Sequence, residues 1–250
     1  MDLSLSRFVD IHCHLLPACD DGPANLDGSL AMVRCYAEAG IREAIATPHH
    51  IPGSAWSAPA EAIMEKITLL QQAVDAQHLD LKIHPGMEIA LHRNMDTGLD
   101  TGRFLPLAAS NSYLLEPDFH SMGDEIFGAI DLFRARGREV ILAHPERVRI
   151  FQEYPGRLVE LVRQGKLLVQ VNIGSLLGNF GAASRETALK LARENAIGYL
   201  ASDAHAAERR RPPSGAQWEK LCEIVGKETI RSCTGNADQL VRANVQTTTR

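Results

Sequence analysis

Residues 10–22 read DIHCHLLPACDDG. They continue an apolar run that begins at Phe8, and side chains of an extended segment alternate between its two faces. His12 and His14 therefore share one face, and Cys13 takes the other. Two imidazoles converging on one side, with Asp20 and Asp21 a few residues on, point to a metal-binding edge at a strand end. A polar strand end with one satisfied core histidine would read the same way over so short a stretch. The rest of the chain has to decide.

Outward from this stretch, short apolar runs alternate with longer amphipathic segments. Strands are predicted over 8–12, 43–47, 81–88, 112–116, 139–143, 167–172 and 198–202. Helices are predicted over 26–38, 59–76, 123–136, 154–164 and 184–195, several followed by a capping glycine (Gly40, Gly137, Gly165). Alternation of this kind implies parallel strands joined by crossover helices. The fold class is α/β, with residues 1–250 forming a single domain. Seven strands suggest a barrel one unit short of the eight-stranded type, and a doubly wound open sheet is the competing arrangement.

Polar residues fall at one end of these strands. His12 and His14 follow the first; His49 and His50 follow the second, in ATPHH. Glu88 ends the third, Glu116 the fourth, and His144 follows the fifth in ILAHPER. The sixth offers only Asn172, and the seventh is followed by Asp203 and His205 in LASDAH. Parallel α/β barrels build their sites at the C-terminal ends of the strands. Residues out of place in a core thus converge on one rim.

A formal charge of -5 over 250 residues gives no reason to expect nucleic acid or an anionic membrane as a partner. No apolar run reaches the roughly 18 residues of a membrane span, and no apolar stretch follows a basic start at the N-terminus. Five cysteines without regular spacing argue against a disulfide framework and for a reducing compartment, so a cytoplasmic location is expected. The polar tail ANVQTTTR is expected to fray. A thiol nucleophile in a phosphate-cradling loop would need Cys-x5-Arg. The sixth residue after each cysteine is instead Cys19, Asn25, Ile41, Glu228 or Gln239.

Five histidines and at least four carboxylates are too many donors for one ion, and thiolate is nearly absent from the rim. Two or three ions sharing carboxylates would use the set, lowering the pKa of bound water and clamping the oxygens of a phosphoryl transfer. His49 is favoured over His50 because it lies nearer the strand end. His78 reads as a solvated loop residue, His84 as a structural strand residue, and His92 and His120 as loop residues bordering the rim. Arg147 in HPER and Arg209, Arg210 and Arg211 in ERRRPP add guanidinium groups from two separate loops. Their fork matches phosphate oxygens, which favours an anionic substrate.

DIHCHLLPACDDG, TPHH, PGME, HPER and SDAH…RPP, in that order, resemble the polymerase-and-histidinol-phosphatase (PHP) superfamily. Within it they are most similar to the bacterial manganese-dependent protein-tyrosine phosphatases of capsule and exopolysaccharide gene clusters. The resemblance spans residues 8–213 and implies a distorted seven-stranded TIM-like barrel. It also implies two or three divalent metal ions, manganese first and iron or zinc compatible. His12, His14, Glu88 and Asp203 would hold one ion; Glu88, Glu116 and His144 a second; Asp21, His49 and His205 a third. Asp21 is taken over Asp20 by spacing from His12, and Arg147 and Arg211 match the phosphate-contacting arginines, with Arg209 and Arg210 left open. The implied substrate is phosphotyrosine on the tail of a bacterial tyrosine kinase of polysaccharide export, attacked directly by metal-activated hydroxide. Histidinol phosphatases carry a histidine where this chain has Asp20–Asp21, which makes that small-molecule activity the second choice. A degenerate metal-binding regulatory module is the nonenzymatic alternative.

Overall fold

The first strand, β1 (Val9–Cys13), pairs in parallel with β2 (Glu43–Ala46), and its register slips between Asp10 and Cys13. Three residues of β1 are matched there by two of β2, which is a β-bulge. The extra residue reverses the alternation. Val9 and Ile11 join an apolar cluster with Ile45, Leu114, Ile141 and Ala201 inside the barrel, and Asp10 meets Tyr36 of the first helix. Past the bulge, His12 faces the barrel mouth, while Cys13 joins the larger cluster packed beneath the helices. Without the bulge His12 would share the face of Asp10.

The structure is a computed structural model that describes residues 4–243; residues 1–3 and 244–250, which include nearly all of the tail expected to fray, lie outside the described residues. All strands run parallel. β2 continues as β3 (His49–His50) after a break at Thr47–Pro48, and β4 (Lys82–Pro85) continues as β5 (Glu88–Ala90) after Gly86 and Met87. β6 (Ser112–Glu116), β7 (Glu139–Ala143), β8 (Leu168–Asn172) and β9 (Tyr199–Ala201) follow. The two breaks divide the strands into sheets ordered β1-β2-β4 and β3-β5-β6-β7-β8-β9. They meet where β9 closes on β1: Asp203 N donates to His12 O at 2.9 Å, and His14 N donates to Ala204 O at 2.8 Å. Each of the seven predicted strands is present, the second and third being broken. The result is a distorted seven-stranded TIM-like barrel.

Asp10 fastens the closure. Its buried carboxylate accepts from Ser202 N at 2.9 Å, from the Ser202 hydroxyl, and from Tyr36 Oη at 2.7 Å. Burial raises its pKa against these three donors.

Helices α1 (Leu26–Ala39), α2 (Ala60–Ala76), α3 (Met95–Asp100) and α4 (Asp124–Ala135) cover one part of the barrel. α5 (Arg149–Glu153), α6 (Pro155–Arg163), α7 (Ile173–Leu176), α8 (Ala182–Arg193) and α9 (Gly215–Arg242) cover the rest. The last is the longest and was not expected from periodicity. Gly226 (φ 81°, ψ 158°) kinks it, so the buried stripe of Trp218 and Leu221 does not continue in phase into Ile230, Cys233 and Ala237.

A tight turn carries Asp20 and Asp21 back toward β1. A Cβ at Gly22 would lie 2.5 Å from His14 O and 3.1 Å from His14 Cβ, so the backbone itself excludes any side chain. Gly22→Ala should therefore cost about 1–3 kcal/mol, the usual range for overpacking. Gly128 is exposed within α4 with nothing near its missing Cβ, so Gly128→Ala should add about 0.5–1 kcal/mol of helix propensity. Urea denaturation of both variants measures the contrast; equal stabilities would contradict this packing of the turn.

Candidate metal centre

Glu88, in β5, is fully buried, and imidazoles surround its carboxylate. Its Oε2 lies 3.2 Å from His12 Nε2, 3.2 Å from His14 Nε2 and 3.0 Å from His49 Nδ1. Its Oε1 lies 3.0 Å from His144 Nε2. Three further carboxylates close the ring. Glu116 reaches within 3.4 Å of His49 and 3.7 Å of His144. Asp203 Oδ1 is 3.6 Å from both His12 and His14, and Asp21 Oδ1 is 3.5 Å from His49 and 3.3 Å from His205. The nine residues expected from the sequence thus lie together at the barrel mouth. Their donor atoms form four overlapping groups, each within 4.8 Å: His12, Glu88 and His144; His12, His14 and Asp203; His49, Glu88 and Glu116; and His14, Asp21, His49 and His205.

Neighbouring residues set which nitrogen of each ring faces inward. His12 Nδ1 donates to Gln170 Oε1 at 2.9 Å, His14 Nδ1 to Asp20 Oδ2 at 2.7 Å, and His205 Nδ1 to Asp203 O at 2.9 Å. A proton held at Nδ1 leaves the Nε2 lone pair for a ligand. His12 Nε2 and His14 Nε2 then face each other at 3.2 Å, an arrangement that a proton on one of them, or a cation in its place, reconciles. His49 Nδ1, Glu88 Oε2 and His205 Nε2 are buried and without a hydrogen bond. Opposite-type donor atoms stand within 3.0–3.3 Å of them without hydrogen-bond geometry, which suits metal ligation better than a hydrogen-bonded core.

Electrostatics indicate the same demand for positive charge. Burial alone would lower the pKa of His14, but its hydrogen bond to Asp20 and the Glu88 carboxylate raise it to about 10. The Glu116 and Glu88 carboxylates likewise overcome burial at His49 and raise it to about 11. Burial would raise Glu88 and Asp203, yet His12 chiefly, with His144, holds both below the usual carboxylate range. Asp20, hydrogen-bonded by His14, is lowered to about 2 despite its burial. Asp20 therefore orients His14, while Asp21 faces the donor groups.

Two arginines reach the same centre. Arg147 Nη1 lies 3.2 Å from Asp203 Oδ2, and Arg210 Nη2 lies 2.6 Å from the same oxygen. Arg211 departs from its expected position. Its Nη2 is 3.9 Å from Cys35 Sγ on α1, outside the centre. The reason is local: Arg210 has a left-handed backbone (φ 49°), and its carbonyl accepts from His205 N at 2.9 Å. This folds the loop so that Arg210 turns inward and Arg211 away. His144 (φ 32°) and Asp203 (φ 53°) are also left-handed, a conformation that non-glycine residues hold mainly where the surroundings impose it.

Other histidines fall outside the donor groups. His50 packs edge-on against Phe104 at 5.3 Å, as does His92 at 5.9 Å, while His84 pairs with Glu43 at 2.8 Å. His78 and His120 are exposed. β8 supplies no donor to the groups, but supplies a connection below them. Gln170 Nε2 donates to Asn172 Oδ1 at 2.8 Å, and Asn172 Nδ2 donates to Asp203 Oδ2 at 2.7 Å. Sequence reading missed Gln170, because an amide inside an apolar strand looks like an isolated core polar residue. Its place two residues before Asn172 on the same face was the available signal.

The model of the capsular polysaccharide synthesis CpsB/CapC family matches residues 8–242. A tyrosine-protein phosphatase of Bacillus subtilis, YwqE, is 34% identical over 237 residues, covering 94% of this chain and 91% of its own length. The tyrosine-protein phosphatase CpsB of Streptococcus agalactiae is 24% identical over 243 residues, covering 95% of this chain and 96% of its own. Among solved structures, a chain from the work on YwqE of B. subtilis and CpsB of Streptococcus pneumoniae, described as unique metal-dependent tyrosine phosphatases, superposes with a TM-score of 0.87. It is 32% identical, with 94% of each chain covered. A histidinol phosphate phosphatase of Lactococcus lactis shares the fold at a TM-score of 0.54 and 15% identity, over 88% of this chain and 92% of its own. With a family model matched along nearly its whole length and a 34% identical relative over 94% of it, this chain belongs to the CpsB/CapC family of capsular polysaccharide synthesis.

Proposed function

We propose that the chain is a metal-dependent protein-tyrosine phosphatase acting on a tyrosine kinase of polysaccharide synthesis or export. The observation that carries this reading is the convergence of His12, His14, His49 and His144 on the two oxygens of one buried carboxylate, Glu88. Its two oxygens meet different imidazoles, so Glu88 is suited to bridge two ions. Four carboxylates beside five imidazoles, with no thiolate, suit manganese, with iron or zinc as substitutes. Divalent ions in such a set supply Lewis acidity at the phosphoryl group and a nucleophile from solvent at neutral pH.

The chain's own residues supply the rest. Gln170 and Asp20 hold His12 and His14 in the tautomer that ligates. Arg147 and Arg210 each place one nitrogen on Asp203, leaving further N–H donors for the equatorial oxygens of a transferring phosphoryl group. Arg210 takes the role that the resemblance gave to Arg211. The kinase substrate is inferred from the family's place in capsule synthesis and from relatives named as tyrosine-protein phosphatases. No helix among the described residues is long and apolar enough to cross a membrane, and all five cysteines are free. We place the enzyme in the cytoplasm on the cysteines. Histidinol phosphatase activity finds support only in a shared fold, and the complete donor set disfavours a degenerate module.

Chelation should abolish turnover of a phosphotyrosine peptide, manganese should restore it, and the peptide should be preferred over histidinol phosphate. Steady-state kinetics of metal-stripped and reloaded protein decide this, and full activity without metal would refute it. Glu88→Ala should lose bound metal and activity together. Arg147→Ala and Arg210→Ala should keep their metal, measured by elemental analysis, and lose about 10²-fold in kcat, as removal of one preorganised donor commonly does. Arg211→Ala should stay near the parent, and a larger loss there than at Arg210 would reverse the assignment.

Loading should also release protons. His14, at about 10, and His49, at about 11, carry protons at pH 7 that ligation displaces. Metal affinity therefore falls as pH falls. Calorimetry in two buffers of different ionisation enthalpy should show net proton release, and none at all would contradict the ligand assignment.

A further inference from the structure

Six large hydrophobic residues are well exposed among the described residues, and two of them pack against imidazoles of the donor groups, one stacked and one tilted. Trp56, 36% exposed, lies parallel to His49, with ring centroids 5.6 Å apart and planes 13° apart. Phe119, 37% exposed, lies 5.6 Å from His144. His49 and His144 approach opposite oxygens of Glu88, so the two exposed rings stand on the two flanks of that carboxylate. Both are held from behind. Trp56 O accepts from Ile51 N at 2.7 Å, and Phe119 O accepts from Arg149 N at 2.8 Å.

Phe119 has a second contact. The Arg147 guanidinium lies 4.5 Å from its ring centroid and 4.4 Å from that of Phe180, so two aromatic rings contact the arginine. Phe180 is itself seated against Gly174, where a Cβ would come within 2.7 Å of the ring. Two cation–π contacts help to fix the guanidinium in place. The outward parts of Trp56 and Phe119 remain in solvent beside the donor groups.

We propose that Trp56 and Phe119 are the walls of an aryl slot, which receives the ring of an aryl phosphate whose phosphoryl group lies at the metal donors. The slot rests on the phosphatase reading and adds to it. It makes the site selective for aryl over alkyl phosphate esters through binding of the leaving group, independently of the greater intrinsic reactivity of aryl esters. Phe180 is a positioning residue behind Arg147. No covalent step is added; the aromatic walls act by contact alone.

The test compares kcat/KM for O-phosphotyrosine and O-phosphoserine in the metal-loaded parent, Trp56→Ala, Trp56→Phe and Phe119→Leu, with metal content checked in each. Trp56→Ala and Phe119→Leu should lower the phosphotyrosine-to-phosphoserine ratio about tenfold, the order of a lost aromatic contact, and Trp56→Phe should recover most of it. Inhibition supplies a readout apart from turnover: phenylphosphonate should lose its advantage over methylphosphonate in the same two variants. An unchanged ratio with unchanged inhibitor preference overturns the slot while leaving the phosphatase reading in place. A metal-loaded parent that hydrolyses neither ester overturns both. Phe119→Leu keeps an apolar side chain on Arg147, so the test survives a Trp56→Ala protein that fails to fold.

Discussion

A carboxylate buried at the mouth of a closed barrel needs positive charge beside it, and much of this molecule is arranged around that need at Glu88. Isolated ionised carboxylates are not tolerated in low dielectric. Four imidazoles from three strand ends answer the charge, and each strand must deliver its side chains to within hydrogen-bond range of one group. β1 does so through a bulge, which returns His12 to the interior after Asp10 has faced the helices. β7 does so through a left-handed residue immediately past its end, His144, and a second left-handed residue, Asp203, lies two positions past β9. The irregularities of the barrel are thus concentrated where donors must be aimed, as is common near functional sites.

The same logic explains the division of labour among carboxylates. Asp10 is tied to Ser202 and Tyr36 and closes the barrel, Asp20 orients His14, and Asp21 faces the donor groups. Asp203 is divided between tasks: one oxygen faces His12 and His14, and the other gathers Asn172, Arg147 and Arg210. Arginines and donors for metal are therefore mechanically coupled through one side chain. A change at Arg147 or Arg210 is felt at the donors through Asp203, whose position Asn172 and the barrel closure also secure, and for Arg147 through Phe119 against His144 as well.

The ring of strands was legible in the sequence because six of the seven apolar runs ended in a histidine or carboxylate, and that pattern survives any error of a residue or two at strand boundaries. The breaks at Thr47–Pro48 and Gly86–Met87 were not legible, since an apolar run gives no sign of where its pairing changes sheet. Proline lacks the N–H a ladder needs, and it was the available hint. Asp20 and Asp21 could be told apart only by three-dimensional geometry, because adjacent carboxylates in a turn carry no periodicity. The choice among Arg209, Arg210 and Arg211 depended on a left-handed φ at a residue with no intrinsic preference for it. Gln170 and the stacked Trp56 were invisible for another reason: their roles exist only through contacts with residues far away in sequence.

Anomalous diffraction from crystals of protein purified without chelator, collected on either side of the manganese absorption edge, tests the central claim most directly. The account predicts at least two anomalous peaks in contact with different oxygens of Glu88, with His12 Nε2, His14 Nε2 and His144 Nε2 turned toward them. Crystals from manganese-supplemented protein in which Glu88 is held by protonated imidazoles alone, with no anomalous peak beside it, would contradict it.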